Sequence, residues 1–171
     1  MKCLLKPQIQ FFLLLLAGIP FCVKPPDYPK TPVIEFMGLS KQVLQQGMSK
    51  GDSLSITFSY TDGDGDLGFP DTDPTASVFV RDDRDSFLKF QYQLPYVDPQ
   101  GAGNGISGEI SIVVPTSCCI FVTDEGQKLA CDLVPASFLY DTLHYFIKIR
   151  DRAGNISNEI KAGPITLQCQ K

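Results

Sequence analysis

Between Ser53 and Tyr60 polar and apolar residues alternate without a break. Leu54, Ile56, Phe58 and Tyr60 fall on one side, Ser53, Ser55, Thr57 and Ser59 on the other. A period of two puts successive side chains on opposite faces, as in a strand with one face in a core and one in water. The pattern returns at Leu143, Tyr145, Ile147 and Ile149, with His144, Lys148 and Arg150 opposite, and at Ile110, Ile112 and Val114. Weaker runs lie at 33–37, 78–80, 87–93 and 156–167, the last broken by Gly163 and Pro164. No stripe of helical period persists beyond two turns, although 38–47 has room for a short helical turn, and no 20–50-residue repeat is present. With Gly, Pro and Asp turns between the runs, the expected strands are 33–38, 52–60, 77–81, 87–94, 107–114, 143–151 and 156–168. The fold class expected is all-β, an antiparallel β-sandwich of about seven strands.

The first 21 residues read as an address. Lys2 and Lys6 precede the apolar run from Phe11 to Ala17, which matches the hydrophobic region of a secretory signal and is short for a membrane span. The run closes on Gly18-Ile19-Pro20-Phe21-Cys22, and a Cys there resembles the lipidated first residue of a bacterial lipoprotein, with Phe21 where a small residue is usual. The organisation expected is therefore a signal peptide at 1–21, a Pro-rich tether at 22–32 and a β-sandwich domain at 33–171. Removing 1–21 takes away two Lys and no acid, so the formal charge moves from −4 to −6. That balance argues against nucleic acid, whose phosphates require a basic patch. Pro25, Pro26, Pro29 and Pro32 favour an extended tether of ~3.1 Å per residue, on the order of 30 Å for ten residues.

Eight of the 19 acids lie between Asp62 and Asp85. The expected second strand runs straight into Asp62-Gly63-Asp64-Gly65-Asp66-Leu67-Gly68, where alternating Asp and Gly crowd carboxylates on a backbone free to curl. A hard cation with six to eight oxygen ligands removes the repulsion. Asp62, Asp64, Asp66 and Asp73 fall at positions one, three, five and twelve of an EF-hand loop. Leu67 stands where that loop has Gly, Asp73 where it has Glu, and the preceding segment is a strand, which excludes an EF-hand helix pair. Asp71 is a possible helper. In an immunoglobulin-like sandwich, the loop after the second strand and the turn between the last two strands share one end. Asp151 and Asn155, in Arg150-Asp151-Arg152-Ala153-Gly154-Asn155, then join the candidate metal ligands, around a tight turn with positive φ near Gly154 or Asn155. The ion expected is Ca2+. The alternatives are a metal-free turn network, with Arg150 and Arg152 neutralising the carboxylates, and a catalytic carboxylate pair. The segment Arg81-Asp82-Asp83-Arg84-Asp85 has mixed signs and reads as a solvated hairpin at the opposite end.

Cys118, Cys119, Cys131 and Cys169 are an even set in an exported, oxidising setting. A bond between neighbours 118 and 119 closes a strained ring, so one is expected to meet Cys131 and the other Cys169. A four-Cys zinc site is the rival, without Cys-x-x-Cys spacing. No catalytic residue is assigned. The one His, His144, falls on a polar strand face with no Ser or Cys partner, and nucleophile-elbow, P-loop, dinucleotide and zinc-protease motifs are absent.

The acidic loop resembles the Asp-x-Asp-x-Asp calcium loops of non-EF folds such as thrombospondin type 3 repeats. The Asp151-Arg152-Ala153-Gly154-Asn155 turn resembles that of bacterial immunoglobulin-like domains. With Cys22, Pro26-Asp27-Tyr28-Pro29, Asn104-Gly105-Ile106-Ser107-Gly108-Glu109-Ile110 and Cys118-Cys119, the chain resembles surface lipoproteins of Bacteroidota. The resemblance implies an immunoglobulin-like domain lipid-anchored to the bacterial envelope, at the outer membrane, and no established activity. The function expected is a non-enzymatic binding or scaffold module with a structural calcium site and an envelope-protein or glycan partner. The alternative is a carbohydrate-binding or carbohydrate-processing accessory protein using Tyr residues and the acidic loop; Tyr92, Tyr96 and Tyr140 could stack on sugar rings, but without Trp they read as core or rim aromatics.

Overall fold

Each alternating run forms a strand. The computed structural model describes residues 27–47, 51–98 and 105–169. The signal segment, Cys22, the first part of the tether and most of the Gly-rich stretch 101–105, which the sequence suggests as a turn ahead of the strand expected at 107–114, lie outside the described residues. The strands are β1 (Val33–Leu39), β2 (Val43–Gln45), β3 (Ser53–Asp62), β4 (Val78–Asp82), β5 (Leu88–Tyr92), β6 (Ile106–Pro115), β7 (Ile120–Val122), β8 (Lys128–Ala130), β9 (Tyr140–Ile149) and β10 (Ile160–Gln168). Among the described residues there is no α-helix, and one 3-10 turn spans Cys131–Leu133.

One sheet has the order β1-β3-β6, a second β2-β10-β9-β4-β5, and β7 and β8 form a separate hairpin. The chain thus changes sheets at β1–β2, β2–β3, β3–β4 and β5–β6, and passes through the β7–β8 hairpin between β6 and β9. One buried cluster draws on both large sheets: Leu54, Ile56 and Phe58 from β3, Ile112 and Val114 from β6, Val78 and Val80 from β4, Leu143, Tyr145, Ile147 and Ile149 from β9, and Ile165 and Leu167 from β10. Burying a Leu, Ile, Val or Phe side chain is worth roughly 1.5–3 kcal/mol. The faces that alternation marked as apolar are therefore the ones that supply the core.

Three expectations need correction. The 38–47 stretch holds no helical turn: β2 lies there and pairs in parallel with β10, Leu44 opposite Leu167. Three residues are too few for a period to declare itself, and β10 supplies the backbone partners. For the same reason the sheet is mixed, not purely antiparallel. The third correction concerns the 81–85 hairpin. Asp82 is fully buried and Arg84 nearly so, its guanidinium meeting Asp82 at 2.6 Å and Asp141 at 2.5 Å. Arg84 also donates to the Cys118 carbonyl and the Ser117 hydroxyl, each at 3.0 Å. Burial alone would lower its pKa, but the bonds to Asp82 and Asp141 outweigh that and raise it. Two carboxylates around one guanidinium make this a buried network instead of a solvated turn.

The cysteines pair as Cys118–Cys131 and Cys119–Cys169. The first staples the β7–β8 excursion to itself; the second fastens the end of β10 beside it. His144 sits on the outer face of β9, its Nδ1 2.9 Å from an Asp83 carboxylate oxygen.

Candidate metal centre

The site forms where two core-facing rows run out. On β3 the inward row Leu54, Ile56, Phe58, Tyr60 continues in phase to Asp62, and on β9 the row Leu143, Tyr145, Ile147, Ile149 continues in phase to Asp151. Strand geometry therefore carries both carboxylates inward, and both are fully buried. The following loop turns back with Gly65 at φ 67°, a conformation costly for residues with a Cβ. This brings Asp64 and Asp66 alongside. Asp62, Asp64, Asp66 and Asp151 can each offer one carboxylate oxygen such that all four lie within 4.8 Å of one another.

The hydrogen bonds hold this group from outside and leave its interior short of donors. Asp62 Oδ2 accepts from the Asp66 N–H at 3.0 Å, and Asp66 Oδ2 from the Ala153 N–H at 3.0 Å. Their Oδ1 atoms are buried and have no partner. An unsatisfied buried polar group costs about 1–3 kcal/mol, more when charged. Burial, with the charges of Asp64, Asp66 and Asp151 added, pushes the Asp62 carboxyl up to about 6 against the opposing Asp66 N–H bond. Burial and the charges of Asp151 and Asp64 also raise Asp66. Four crowded carboxylates with two orphaned oxygens form a site that a cation would complete, and all the donors are hard oxygens.

The two neighbouring arginines do not fill that role. Arg152 donates to the carbonyls of Leu67, Gly68 and Val97 at 2.7, 2.8 and 3.0 Å and lies 4.6 Å from the Tyr96 ring centre. Its N–H donates to the Asp66 carbonyl at 3.1 Å. Arg150 donates to the Ala76 carbonyl and lies over Phe79. Among the described residues, neither makes an ion pair with the four acids. Arg152 instead clamps the loop backbone to the 94–97 segment, a role that sequence reasoning missed.

Asn155 supports Asp151: its backbone N–H and its Nδ2 each donate to one Asp151 oxygen at 2.7 Å. The turn has Gly154 at φ 92°, as the Ala-Gly-Asn pattern predicted. Asp73 lies outside the group of four and caps a local turn, accepting from the Thr75 N–H at 3.0 Å; the Thr75 hydrogen bonds lower its pKa. Asp71 is exposed and also outside it. The twelfth EF-hand position therefore does not return to the carboxylate group, because the chain leaves along Phe69 and Pro70 and no helix brings it back.

The three tyrosines do not share a platform. Tyr96 lies under Arg152 at the carboxylate end, Tyr140 begins β9 at the other end, and the Tyr92 hydroxyl donates to the Val113 carbonyl. No family model, curated protein or solved structure matches the chain.

Proposed function

We propose that this protein is a lipid-anchored, non-enzymatic binding or scaffold module of the bacterial envelope, whose immunoglobulin-like domain is stiffened at one end by Ca2+. The observation that carries the calcium reading is the group Asp62, Asp64, Asp66 and Asp151, with two buried carboxylate oxygens lacking a partner. Calcium accepts six to eight oxygens in flexible geometry, whereas magnesium demands a near-ideal octahedron and keeps its water. An irregular all-oxygen group set by two strand ends suits calcium. The ion would tie the loop after β3 to the turn after β9, joining the two sheets at one end.

The strand order supports the immunoglobulin-like reading. β3 lies between β1 and β6, and β9 between β10 and β4, as such sandwiches place their second strand between the first and fifth and their sixth between the third and seventh. β5 pairs with β4 instead of β6, a departure from the constant-type arrangement. The anchor reading rests on Cys22 closing the apolar run; a Cys22→Ser protein is expected to leave the membrane fraction.

Calorimetric titration of the mature domain with Ca2+, and melting in Ca2+, Mg2+ and EDTA, test the metal. At a hundredfold excess over Kd the ion adds about 2.7 kcal/mol. For a domain of this size that raises the Tm by roughly 5–10 °C. A melting curve unmoved by millimolar calcium overturns the reading.

A further inference from the structure

The chain ahead of β1 is seated on the metal loop. The Gly63 N–H donates to the Pro29 carbonyl at 2.8 Å. A Cβ at Gly63 would collide with the carbonyl oxygens of Tyr28 and Pro29, and one at Gly105 with the Tyr28 ring. Tyr28 is half-buried and Pro32 buried, so this segment is packed against the domain. Gly63 stands between two of the four clustered carboxylates, Asp62 and Asp64. The backbone that receives the strap is therefore the backbone that an ion would position.

We infer that residues 28–32 form a strap whose docking is coupled to occupancy of the carboxylate site. This rests on the metal reading above. With an ion bound, Asp62 and Asp64 are drawn together and the Gly63 N–H is held toward Pro29. Without it, repulsion among the four carboxylates spreads the loop, the Gly63 N–H shifts, and the strap lifts. Coupling is reciprocal, so a docked strap raises calcium affinity by the factor by which calcium favours docking. In an anchored protein, release of residues 28–32 would lengthen the span between Cys22 and the domain by five residues, about 15 Å at ~3.1 Å per residue. Calcium would then set how closely the domain is held to the membrane.

Trypsin reads the strap directly, because Lys30 is exposed and followed by Thr31, whereas Lys24 is followed by Pro25. The mature chain is digested in Ca2+ or in EDTA, cleavage after Lys30 is followed by mass spectrometry, and calcium binding is measured separately by calorimetry. The expected result is cleavage at Lys30 slowed about tenfold by calcium. Tyr28→Ala, which touches no carboxylate of the group, is expected to restore fast cleavage in calcium and to weaken calcium binding by a matching factor. Gly63→Ala gives a second reading of strap release. Binding heat without a change in cleavage, or Tyr28→Ala with unaltered affinity, overturns the coupling and leaves the metal reading standing. Absence of binding heat overturns both.

Discussion

The decisive residues are acids placed on core-facing rows. Asp62 extends the inward row of β3, Asp82 that of β4 after Val78 and Val80, and Asp151 that of β9; all three are fully buried. They are then resolved differently. Asp82 receives Arg84, Asp151 receives Asn155, and one oxygen of Asp62 receives nothing. That orphan has a pH signature. Since burial raises the Asp62 carboxyl from 3.8 to about 6, the folded metal-free protein holds a proton there that the unfolded chain releases. Its contribution is fully present below pH 4 and is lost as pH rises through about 6. In EDTA, the Tm of Asp62→Asn relative to the unaltered protein should therefore climb between pH 4 and 7; a constant difference would contradict the assignment. Asp64 is exposed but its charge adds to the repulsion on Asp62 and Asp66, so Asp64→Asn should leave the metal-free Tm at or slightly above that of the parent. It should abolish most of the gain in calcium, as read by the same melts.

At the scale of elements, turns that look alike in composition do opposite work. The loop after β3 gathers carboxylates, whereas the hairpin after β4 brings Arg84 back onto Asp82 and across to Asp141 at the start of β9. Removing one partner of a buried pair costs about 3–5 kcal/mol because the remaining charge is stranded. Arg84→Ala strands two, so urea denaturation should show a loss at least that large; a loss under about 1 kcal/mol would return the hairpin to the class of solvated pairs. Arg152 acts on a third element, holding the 94–97 segment to the loop after β3 through the carbonyls of Leu67, Gly68 and Val97. Arg152→Lys keeps the charge but cannot reproduce that fork. Calcium affinity by calorimetry should fall while the metal-free fold persists by circular dichroism.

Across the whole molecule the two ends have different fasteners. The carboxylate group lies where β3 and β9 finish, and the disulfides lie where β9 begins and β10 ends. By loop-closure entropy, Cys118–Cys131, separated by 13 residues, contributes about 3 kcal/mol, and Cys119–Cys169, separated by 50, about 4 kcal/mol. Double Cys→Ser variants of each pair should lose stability in that order in urea. On the proposed calcium reading, Ca2+ should still raise the Tm of both variants, because the carboxylate group lies at the far end; loss of the calcium effect would contradict this separation.

What the chain determines locally is legible without a structure. Alternation at 53–60, 110–114 and 143–149 fixes strands and their core faces, because a period of two leaves no other way to bury one set of side chains. The Asp-Gly-Asp-Gly-Asp loop declares crowded carboxylates, and adjacent Cys118 and Cys119 declare two separate bridges. Parity also carried a signal for Asp82, which follows Val78 and Val80 in phase, but mixed charge at 81–85 masked it. Other features depend on residues far apart in sequence. The short β2 exists because β10 offers it an edge. Asp151 meets Asp62, as the expected strand order placed it, but how closely depends on two strands from different sheets ending together. Arg152 finds carbonyls near 67 and 97, and Pro29 finds Gly63. Such contacts are set by which backbone arrives beside which, and only the packed sheets decide that.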